Sequence, residues 1–399
     1  MDINIKRVMT NLEKIGHIGK TSSGGITRTA FSKEYYEAVD ALKHLMVQSG
    51  LEVSVDAIGN VYGKRKGRDN NLPSIVLGSH LDTVVNGGLY DGLLGIISGL
   101  EIINILNDED VITEHPIEIA AFNSEEGNEL GGTFGSRVAI GGQDLEEKGL
   151  DEKIAIYNIT KDDLKASIRN MDDIYAFLEL HVEQGPFLDF KGIDIGVVEG
   201  IVGIKRFKIT INGESNHAGS TPMDMRKDPV LVAAELIKKA NELAKQYKHP
   251  FVTTVGNVIA DPGMFNVIAG NAVVYLDVRD LNENNIDDFT RDLKEYCDTF
   301  EDFDISWEMN IFKPAKYLAE KIYKKIHDIS VNEGYSTTYI ASGAGHDAKE
   351  FIRKIPSAMI FVPSKGGISH SPFEYTSEES IAKGIAVLYK TLVQIDNND

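Results

Sequence analysis

Five short segments of the sequence contain histidine or carboxylate residues, or both. They are GSHLD (78–82), LYDG (89–92), NSEEG (123–127), LHVEQG (180–185) and GISHS (367–371). Imidazole nitrogens and carboxylate oxygens are ligands for divalent metals such as zinc and manganese. The only cysteine, Cys297, lies in a helical pattern without reactive companions, so we expect it to be structural and any metal site to use nitrogen and oxygen alone.

Closely spaced pairs of such residues occur within these segments. His80 and Asp82 are two residues apart at the end of an apolar run, so on a strand they point the same way, and Asp82 is placed to hold the second ring nitrogen of a metal-bound His80. Glu125 and Glu126 end the run IEIAAF, and adjacent acids at a buried strand end repel each other unless a cation binds. One would ligate and the other accept a proton. A solvated acidic loop, and a helix N-cap for Asp91, remain alternatives.

The five segments follow patterns that predict buried strands and covering helices. SIVLGSH, IEIAAF, AFLELHV and SAMIFV are short apolar runs typical of buried strands, and LLGIISGLEIINIL predicts an apolar helix. This alternation indicates an α/β domain with both sheet faces covered, whose strand-end loops gather at the carboxyl edge of the sheet. We therefore expect a two-metal centre with one shared carboxylate. Its potential ligands are His80, Asp91, Glu126, His181 and His370.

The middle of the chain shows a different order of predicted strands and helices. Its elements follow the order strand, helix, strand, strand, helix, strand, which is the split βαβ pattern. We predict a catalytic domain in two parts, residues 1–203 and 316–399, interrupted by an inserted ferredoxin-like domain at 204–315.

Composition excludes several classes of protein. Lys and Arg number 41 against 61 Asp and Glu, and the net charge of −20 argues against a nucleic-acid or anionic-membrane partner. The sequence has no apolar run of about 18 residues and no signal-like N-terminus, so we expect no membrane span and a cytoplasmic location. The 399 residues suffice for two or three domains.

The motifs together resemble a known family. GSHLDTV, NSEEGNELGGTFGSR, LHVEQGP, SNHAGSTPM, GAGHDA and GGISHSP resemble the co-catalytic metallopeptidase and aminoacylase clan, and within it the amidase, hydantoinase and carbamoylase branch. That branch includes N-carbamoyl-L-amino acid hydrolases, β-ureidopropionases and allantoate amidohydrolases. The resemblance runs from about residue 11 to the C-terminus. It implies an α/β fold with a mixed-sheet catalytic domain and an inserted βαββαβ domain that acts as lid and dimerisation surface.

The resemblance implies a role for each matching position. One metal would be held by His80, Asp91 and His181. The other would be held by Glu126 and His370, with Asp91 bridging. Three residues would take part in catalysis: Glu125 as general base, Asp82 orienting His80, and His217 stabilising the oxyanion. The substrate would be contacted by His217, Asn266 and Arg279, and further by Gln184, Gly345 and His346.

The resemblance also implies cofactors and partners. Two divalent ions per subunit are expected, Mn²⁺ or Zn²⁺, and the ligand set also admits Co²⁺ or Ni²⁺. A homodimer would form through the inserted domain, with His217 reaching the partner's active site. Arg279 would grip a substrate carboxylate with two parallel hydrogen bonds. From the residues alone, Arg279 beside Asp277 could equally form a surface ion pair, and His217 and Asn266 could be turn residues.

The expected activity is metal-dependent hydrolysis of a non-peptide C–N bond in a small ureido or carbamoyl carboxylate. NGESNHAGSTPM and FKPAK look more like allantoate amidohydrolases than carbamoylases, so allantoate is the expected substrate. N-carbamoyl-L-amino acid hydrolase and β-ureidopropionase are alternatives, followed by an aminoacylase or dipeptidase of the same clan. A non-catalytic binding protein on the same scaffold is a fourth alternative, against which stands the presence of Glu125 and every ligand.

Overall fold

The computed structural model describes residues 2–397, which form two compact units. The first unit extends to Glu199 and continues over Tyr317–Ile340 and from Ala344 onward. The second unit comprises Gly200–Lys316 and Ala341–Gly343. The first unit is therefore built from chain segments on both sides of the second.

Helices and strands alternate along the chain. Up to the second unit the elements are α1 (Ile5–Gly16), α2 (Lys33–Gln48), β1 (Glu52–Val55), β2 (Val61–Arg65), β3 (Ser74–His80), α3 (Leu93–Asp108), β4 (Ile117–Phe122), α4 (Phe134–Ala139), α5 (Leu150–Ala155), α6 (Lys161–Ala166), β5 (Ile174–Val182), α7 (Phe187–Lys191) and β6 (Ile195–Ile201). Then follow β7 (Gly203–Asn212), β8 (Asn216–His217), α8 (Pro229–Ala244), β9 (Val252–Asp261), β10 (Val267–Ile268), β11 (Asn271–Asp280), α9 (Glu283–Cys297) and β12 (Asp304–Lys313). The last elements are β13 (Lys316–Tyr317), α10 (Glu320–Asn332), β14 (Thr337–Ser342), α11 (Ala348–Phe351), β15 (Ser357–Val362) and α12 (Glu378–Asp396).

A nine-stranded mixed sheet forms the centre of the first unit. Its strand order is β1-β2-β4-β3-β5-β15-β6-β13, with β14 also paired to β6. The four central strands β4, β3, β5 and β15 run parallel, while β2 and β6 join them antiparallel. All residues of β3, β4 and β15 are buried, as expected for strands covered on both faces. Their carboxyl ends therefore meet at one edge of the sheet.

Helix α3 shows how closely the covering layer approaches the sheet. Nearly all of its sixteen residues are buried, because apolar side chains surround it on every side. A Cβ added at Gly95 would lie 2.5 Å from the carbonyl oxygen of Leu180, and one at Gly99 would lie 2.8 Å from Ile119. The two glycines thus allow α3 to pack directly onto the strands, which fixes the position of the loop at its N-terminus.

The second unit is a four-stranded antiparallel sheet with two helices. Its strand order is β12-β7-β11-β9. One face is packed by α8 and α9 over the alternating apolar residues of the strands, such as Ile209, Ile211 and Val274. The residues between them point to the opposite face, where polar and charged side chains predominate.

The predicted mixed α/β fold is confirmed, with differences in detail. The charged stretch 141–175 has a sequence pattern typical of helices, but it forms only two six-residue α-helices, α5 and α6, and a 3-10 helix at Met171–Asp173 before β5 begins. Strand β14 was not predicted, since its sequence TTYIAS alternates poorly, and only its second half is buried. Within residues 2–397, no helix is long and apolar enough to cross a membrane.

Candidate metal centre

Two histidines end neighbouring parallel strands. His80 is the last residue of β3, and His181 is the penultimate residue of β5. Both are buried, and their ring centroids lie 5.8 Å apart. The polar ends of these strands therefore face the same edge of the sheet, as the sequence predicted.

Main-chain carbonyl groups fix the tautomers of both imidazoles. Nδ1 of His80 lies 2.9 Å from the carbonyl oxygen of Asp82, and Nδ1 of His181 lies 2.8 Å from that of Val182. Because a carbonyl oxygen can only accept, each Nδ1 must carry the proton in the neutral ring. The lone pair is left on Nε2, which is the arrangement that a metal-binding histidine requires.

Asp91 lies where the two Nε2 atoms converge. Its Oδ1 is 3.4 Å from Nε2 of His80 and 3.2 Å from Nε2 of His181. This buried oxygen has no hydrogen-bond partner among residues 2–397. The N-cap of α3 is Gly92, with φ of 67°, so Asp91 does not cap the helix. A Cβ at Gly92 would lie 2.5 Å from the His80 ring, so glycine here lets the loop approach the histidine.

The second carboxylate oxygen of Asp91 lies in another cluster of possible ligands. Oδ2 lies 3.3 Å from Nε2 of His370, which in turn lies 3.4 Å from Oε2 of Glu126. Burial, followed by the charge of Asp91, raises the pKa of Glu126 to about 7. The hydrogen bond to Asp91 raises the pKa of His370 to about 9. Clustered acids thus retain protons that a bound cation would displace.

The residues therefore fit divalent cations. Asp91 contributes one oxygen to each of two ligand groups, His80/Asp91/His181 and Asp91/Glu126/His370, whose ligand atoms lie within 4.8 Å of one another in each group. All of the ligand atoms are nitrogen or oxygen. The buried Oδ1 of Asp91 has no hydrogen-bond partner among residues 2–397 and lies beside the Nε2 atoms of His80 and His181, an environment that suits a bound cation. All five predicted ligands are brought together.

Glu125 is held beside these groups as a buried carboxyl. Its Oε2 lies 4.0 Å from Nε2 of His80. Burial raises the pKa of Glu125 well above its usual range. The preceding residue, Ser124, has a φ of 61°, so the chain turns sharply as it leaves β4 and brings both glutamates to the sheet edge.

Asp82 acts differently from the sequence expectation. Its carboxylate is 3.9 Å from Nδ1 of His80, and its main-chain carbonyl makes the hydrogen bond instead. The carboxylate oxygens accept the backbone N–H groups of Glu125 and Glu126, at 3.1 and 3.2 Å. Asp82 thus contacts His80 through its backbone and the two glutamates through its side chain.

Three further predicted contacts lie in the first unit. Gln184 donates from Nε2 to Oδ2 of Asp91 at 2.9 Å, so it contacts a candidate ligand. A Cβ at Gly345 would lie 3.8 Å from Oε1 of Glu125, so this glycine borders the candidate base. His346 is buried with its ring centroid 4.5 Å from that of His181, and it packs against the ligand. Asp347 is the N-cap of α11 but makes no side-chain cap bond.

Sequence reasoning missed two buried carboxylates, Glu179, which is grouped with His181 and His346, and Glu374. Glu374 makes the contacts to the loop of Asp91. Its Oε2 accepts the backbone N–H groups of Tyr90 and Asp91, at 2.8 and 3.1 Å. Its Oε1 accepts from Oγ of Ser369 at 3.2 Å. A Cβ at Gly88 would lie 2.0 Å from Oε2. Glu374 follows His370 by four residues in HSPFE, which was the only available signal.

The remaining predicted residues lie in the second unit. β8 pairs with β10, and the backbone N–H of Ala218 donates to the carbonyl of Asn266 at 3.0 Å, so His217 and Asn266 are neighbours. Both are exposed. Arg279 lies on β11 and pairs with Asp277. Cys297 is buried, and burial raises its pKa to about 12, so it holds no reactive thiolate.

The chain matches a known protein family, and this match agrees with the geometry of the candidate ligand groups. The peptidase family M20/M25/M40 matches residues 76–394, a range that contains all of the candidate ligands. The chain belongs to this family. This family match confirms the resemblance that the sequence motifs predict.

Relatives within the M20/M25/M40 family extend over the whole chain. The N-carbamoyl-L-amino-acid amidohydrolase of Pseudomonas sp. (strain NS671) is 35% identical over 408 residues, covering 98% of each chain. The allantoate amidohydrolase of Escherichia coli (strain K12) is 34% identical over 393 residues, covering 96% of this chain and 95% of the relative. The crystal structure of a hydantoinase/carbamoylase family amidase from Burkholderia multivorans is similar, with a TM-score of 0.88, 30% identity and 98% coverage of both chains.

Proposed function

We propose that this protein is a metal-dependent hydrolase that cleaves a C–N bond in a small ureido or carbamoyl carboxylate. The observation that carries the proposal is the position of Asp91. Its unpaired Oδ1 faces two histidine Nε2 atoms, its Oδ2 faces His370, and the buried carboxyl of Glu125 lies beside the same groups. This arrangement is suited to a pair of metals with an adjacent general base.

The proposed centre contains two divalent ions in each subunit. His80, Asp91 and His181 would hold one, and Asp91, Glu126 and His370 the other. Mn²⁺ or Zn²⁺ fits the nitrogen and oxygen ligands, and Co²⁺ or Ni²⁺ is also compatible. Bound divalent cations acidify a water molecule and polarise a carbonyl group.

The protein's own residues manage the protons and the substrate. In its ionised form Glu125 takes a proton from the attacking water, and the acid so formed delivers this proton to the leaving nitrogen. Burial raises the pKa of Glu125, which favours its holding the proton between these two steps. Gln184 restrains Asp91 through its 2.9 Å hydrogen bond. Arg279 binds the substrate carboxylate, and the imidazole of His217 donates a hydrogen bond to the carbonyl oxygen as negative charge develops.

Allantoate is the proposed substrate, and an N-carbamoyl-L-amino acid or N-carbamoyl-β-alanine is the second candidate. The names of the relatives include both allantoate amidohydrolase and N-carbamoyl-L-amino-acid amidohydrolase, at similar identity. Allantoate is favoured by the segments NGESNHAGSTPM and FKPAK. An aminoacylase or dipeptidase activity would use the same metal centre.

We also propose a homodimer, formed through the second unit, in which His217 reaches the partner's active site. The loop beside His217 supports this proposal, because Phe265 is fully exposed and Met264 is 60% exposed. Exposed apolar residues adjoining a candidate site are typical of a surface that a partner covers. A cytoplasmic location stays a prediction from sequence.

Ammonia release by purified, Mn²⁺-loaded protein tests the function. Allantoate is offered beside N-carbamoyl-L-amino acids, N-carbamoyl-β-alanine and an N-acetyl amino acid, whose cleavage is followed by detection of the free amino acid. Turnover of allantoate alone supports the first candidate, and turnover of carbamoyl compounds alone supports the second. Cleavage of only the acetyl compound would overturn the ureido assignment, and no turnover of any compound would overturn the hydrolase itself.

A further inference from the structure

The second unit contains a cavity of about 570 Å³ on the sheet face opposite its helices. The lining includes Arg206 on β7, Asp277 and Arg279 on β11, and Thr254 on β9. Arg206, Asp277 and Thr254 are direct cross-strand neighbours, so the cavity floor follows one row across three strands. The other lining residues are uncharged, and two arginines with one aspartate give the cavity a net positive charge.

Both edge strands bulge at this row. The register of β9 against β11 shifts so that Gly256 has no partner, and the register of β12 against β7 shifts so that Asn310 has none. Both residues line the cavity. A β-bulge bends its strand and redirects side chains. The two bulges therefore turn a flat sheet face into a concave one around Arg206 and Asp277.

Arg279 has defined spare donors. Its Nε and Nη2 donate to the two carboxylate oxygens of Asp277, at 2.7 and 3.3 Å, and its Nη1 donates to the carbonyl of Gly343 at 3.0 Å. A guanidinium has five N–H groups, so one remains on each Nη. Two N–H groups on adjacent nitrogens match the two oxygens of one carboxylate. Asp277 thus presents Arg279 end-on to a single carboxylate.

Arg206 contacts the same aspartate, but fewer of its N–H groups are hydrogen-bonded. Its Nε donates to Oδ2 of Asp277 at 2.7 Å, and its side chain is 47% exposed. Neither Nη of Arg206 has a hydrogen-bond partner among residues 2–397. Arg206 lines the cavity, and four of its N–H groups have no acceptor among these residues, beside an arginine that already suffices for one carboxylate.

We propose that Arg206 is a specificity residue that binds a second hydrogen-bond-accepting group of the substrate. The ligand class is a small ureido carboxylate that carries a further acceptor, such as a second ureido carbonyl, on the carbon that bears the carboxylate. An aliphatic group at this position would cover the Arg206 N–H groups without pairing them, which is unfavourable. This inference rests on the proposed function and narrows its substrate class.

Two substrates that differ by one group test the inference. Allantoate carries two ureido groups on its α-carbon, whereas N-carbamoylglycine carries one and is otherwise the same. In Mn²⁺-loaded, full-length protein, Arg206→Met should lower the ratio of kcat/KM for allantoate to kcat/KM for N-carbamoylglycine by about 10- to 100-fold, the contribution of hydrogen bonds to a charged donor. Arg279→Met should lower kcat/KM for both substrates.

The controls separate the possible failures. Lys208→Met removes a cation from the same face of β7 that pairs with Glu308 and does not line the cavity, and it should leave the ratio unchanged. Thermal unfolding checks that Arg206→Met folds, and Arg206→Lys serves as a second variant, which keeps the charge and should restore part of the ratio. Equal losses on both substrates, or no change, would overturn the role of Arg206. Wild-type protein that hydrolyses other N-carbamoyl-L-amino acids or N-carbamoyl-β-alanine but not allantoate would overturn this inference alone, whereas protein that hydrolyses no ureido or carbamoyl compound would overturn the proposed function with it.

Discussion

Oε2 of Glu374 accepts the backbone N–H of Asp91 at 3.1 Å, and these two residues are 283 positions apart in the sequence. The same carboxylate accepts from Ser369, the residue before His370. Glu374 therefore joins the loop that carries one candidate ligand to the segment that carries another. Burial and then the charge of Asp91 raise the pKa of Glu374 to about 7, so this connection is made against electrostatic repulsion.

Glu374→Ala should weaken metal binding by about 10- to 100-fold, because residues that orient metal ligands have effects of this size. Glu374→Gln keeps one accepting oxygen and should lose less. Competition with a chelating dye measures the affinity. Glu378→Ala removes an exposed acid from the same segment and is the matched control. Equal affinities for Glu374→Ala and this control would contradict the positioning role.

Glu125→Gln should reduce turnover by about 10²- to 10⁴-fold while both metals stay bound, since an amide cannot accept the proton. Atomic absorption on the purified variant gives the metal content. Glu126→Gln is the counterpart and should lose metal. If Glu125→Gln loses metal and Glu126→Gln retains it, the two glutamates have exchanged roles.

Removal of metal should lower the melting temperature of the protein. The ligand groups place Asp91, Glu126 and Glu125 together, and a cation relieves the repulsion and satisfies the unpaired oxygen of Asp91. A ligand at 100 times its Kd stabilises the folded state by about 2.7 kcal/mol. Calorimetry with and without a chelator should therefore show a clear shift, and identical melting curves would argue against a folded-state metal site.

Arg28→Met should destabilise the first unit by about 1–3 kcal/mol, because it removes the buried donor of several main-chain carbonyl groups. The Arg28 side chain is fully buried and donates to the carbonyl groups of Leu81, Ile15 and Ile18. Urea unfolding measures the loss. Arg68→Met removes an exposed ion pair with Glu114 and should cost less than about 1 kcal/mol.

His217→Ala should lower kcat by about 10²- to 10³-fold, the effect of removing a donor to a developing oxyanion. The substitution is at an exposed position and should leave folding and dimerisation intact. Sedimentation measures the oligomeric state beside activity. A protein that is monomeric and fully active would exclude a role for His217 in a partner's site.

The position of the candidate ligands could be predicted because it follows from local patterns. Each ligand lies at or just after a buried strand, or just before an apolar helix, and parallel strands bring their carboxyl ends together. Glu374 could not be predicted in this way, because its hydrogen-bond partners, Tyr90 and Asp91, lie in a loop far away in the sequence. Arg206 was missed for a similar reason, because its relation to Asp277 arises only when β7 and β11 pair.

Asp82 shows a different limit of sequence reasoning. Its spacing from His80 predicted contact with the imidazole, and the contact exists, but a main-chain atom makes it. Spacing along a strand fixes the side to which a residue points and leaves open which of its atoms reaches the neighbour. The freed carboxylate instead holds the backbone of Glu125 and Glu126.

Strand β15 lies between β5 and β6 in the sheet, although it is made long after both. A ribosome therefore exposes β5 with an unpaired edge while it synthesises the residues from 202 to 356, and the ligand His370 emerges later still. Unpaired edges promote association between chains, so incomplete products are prone to aggregate. The order of synthesis thus delays assembly of the candidate ligand groups until the chain has been synthesised past His370, and a chain that ends before this residue lacks one of the candidate ligands.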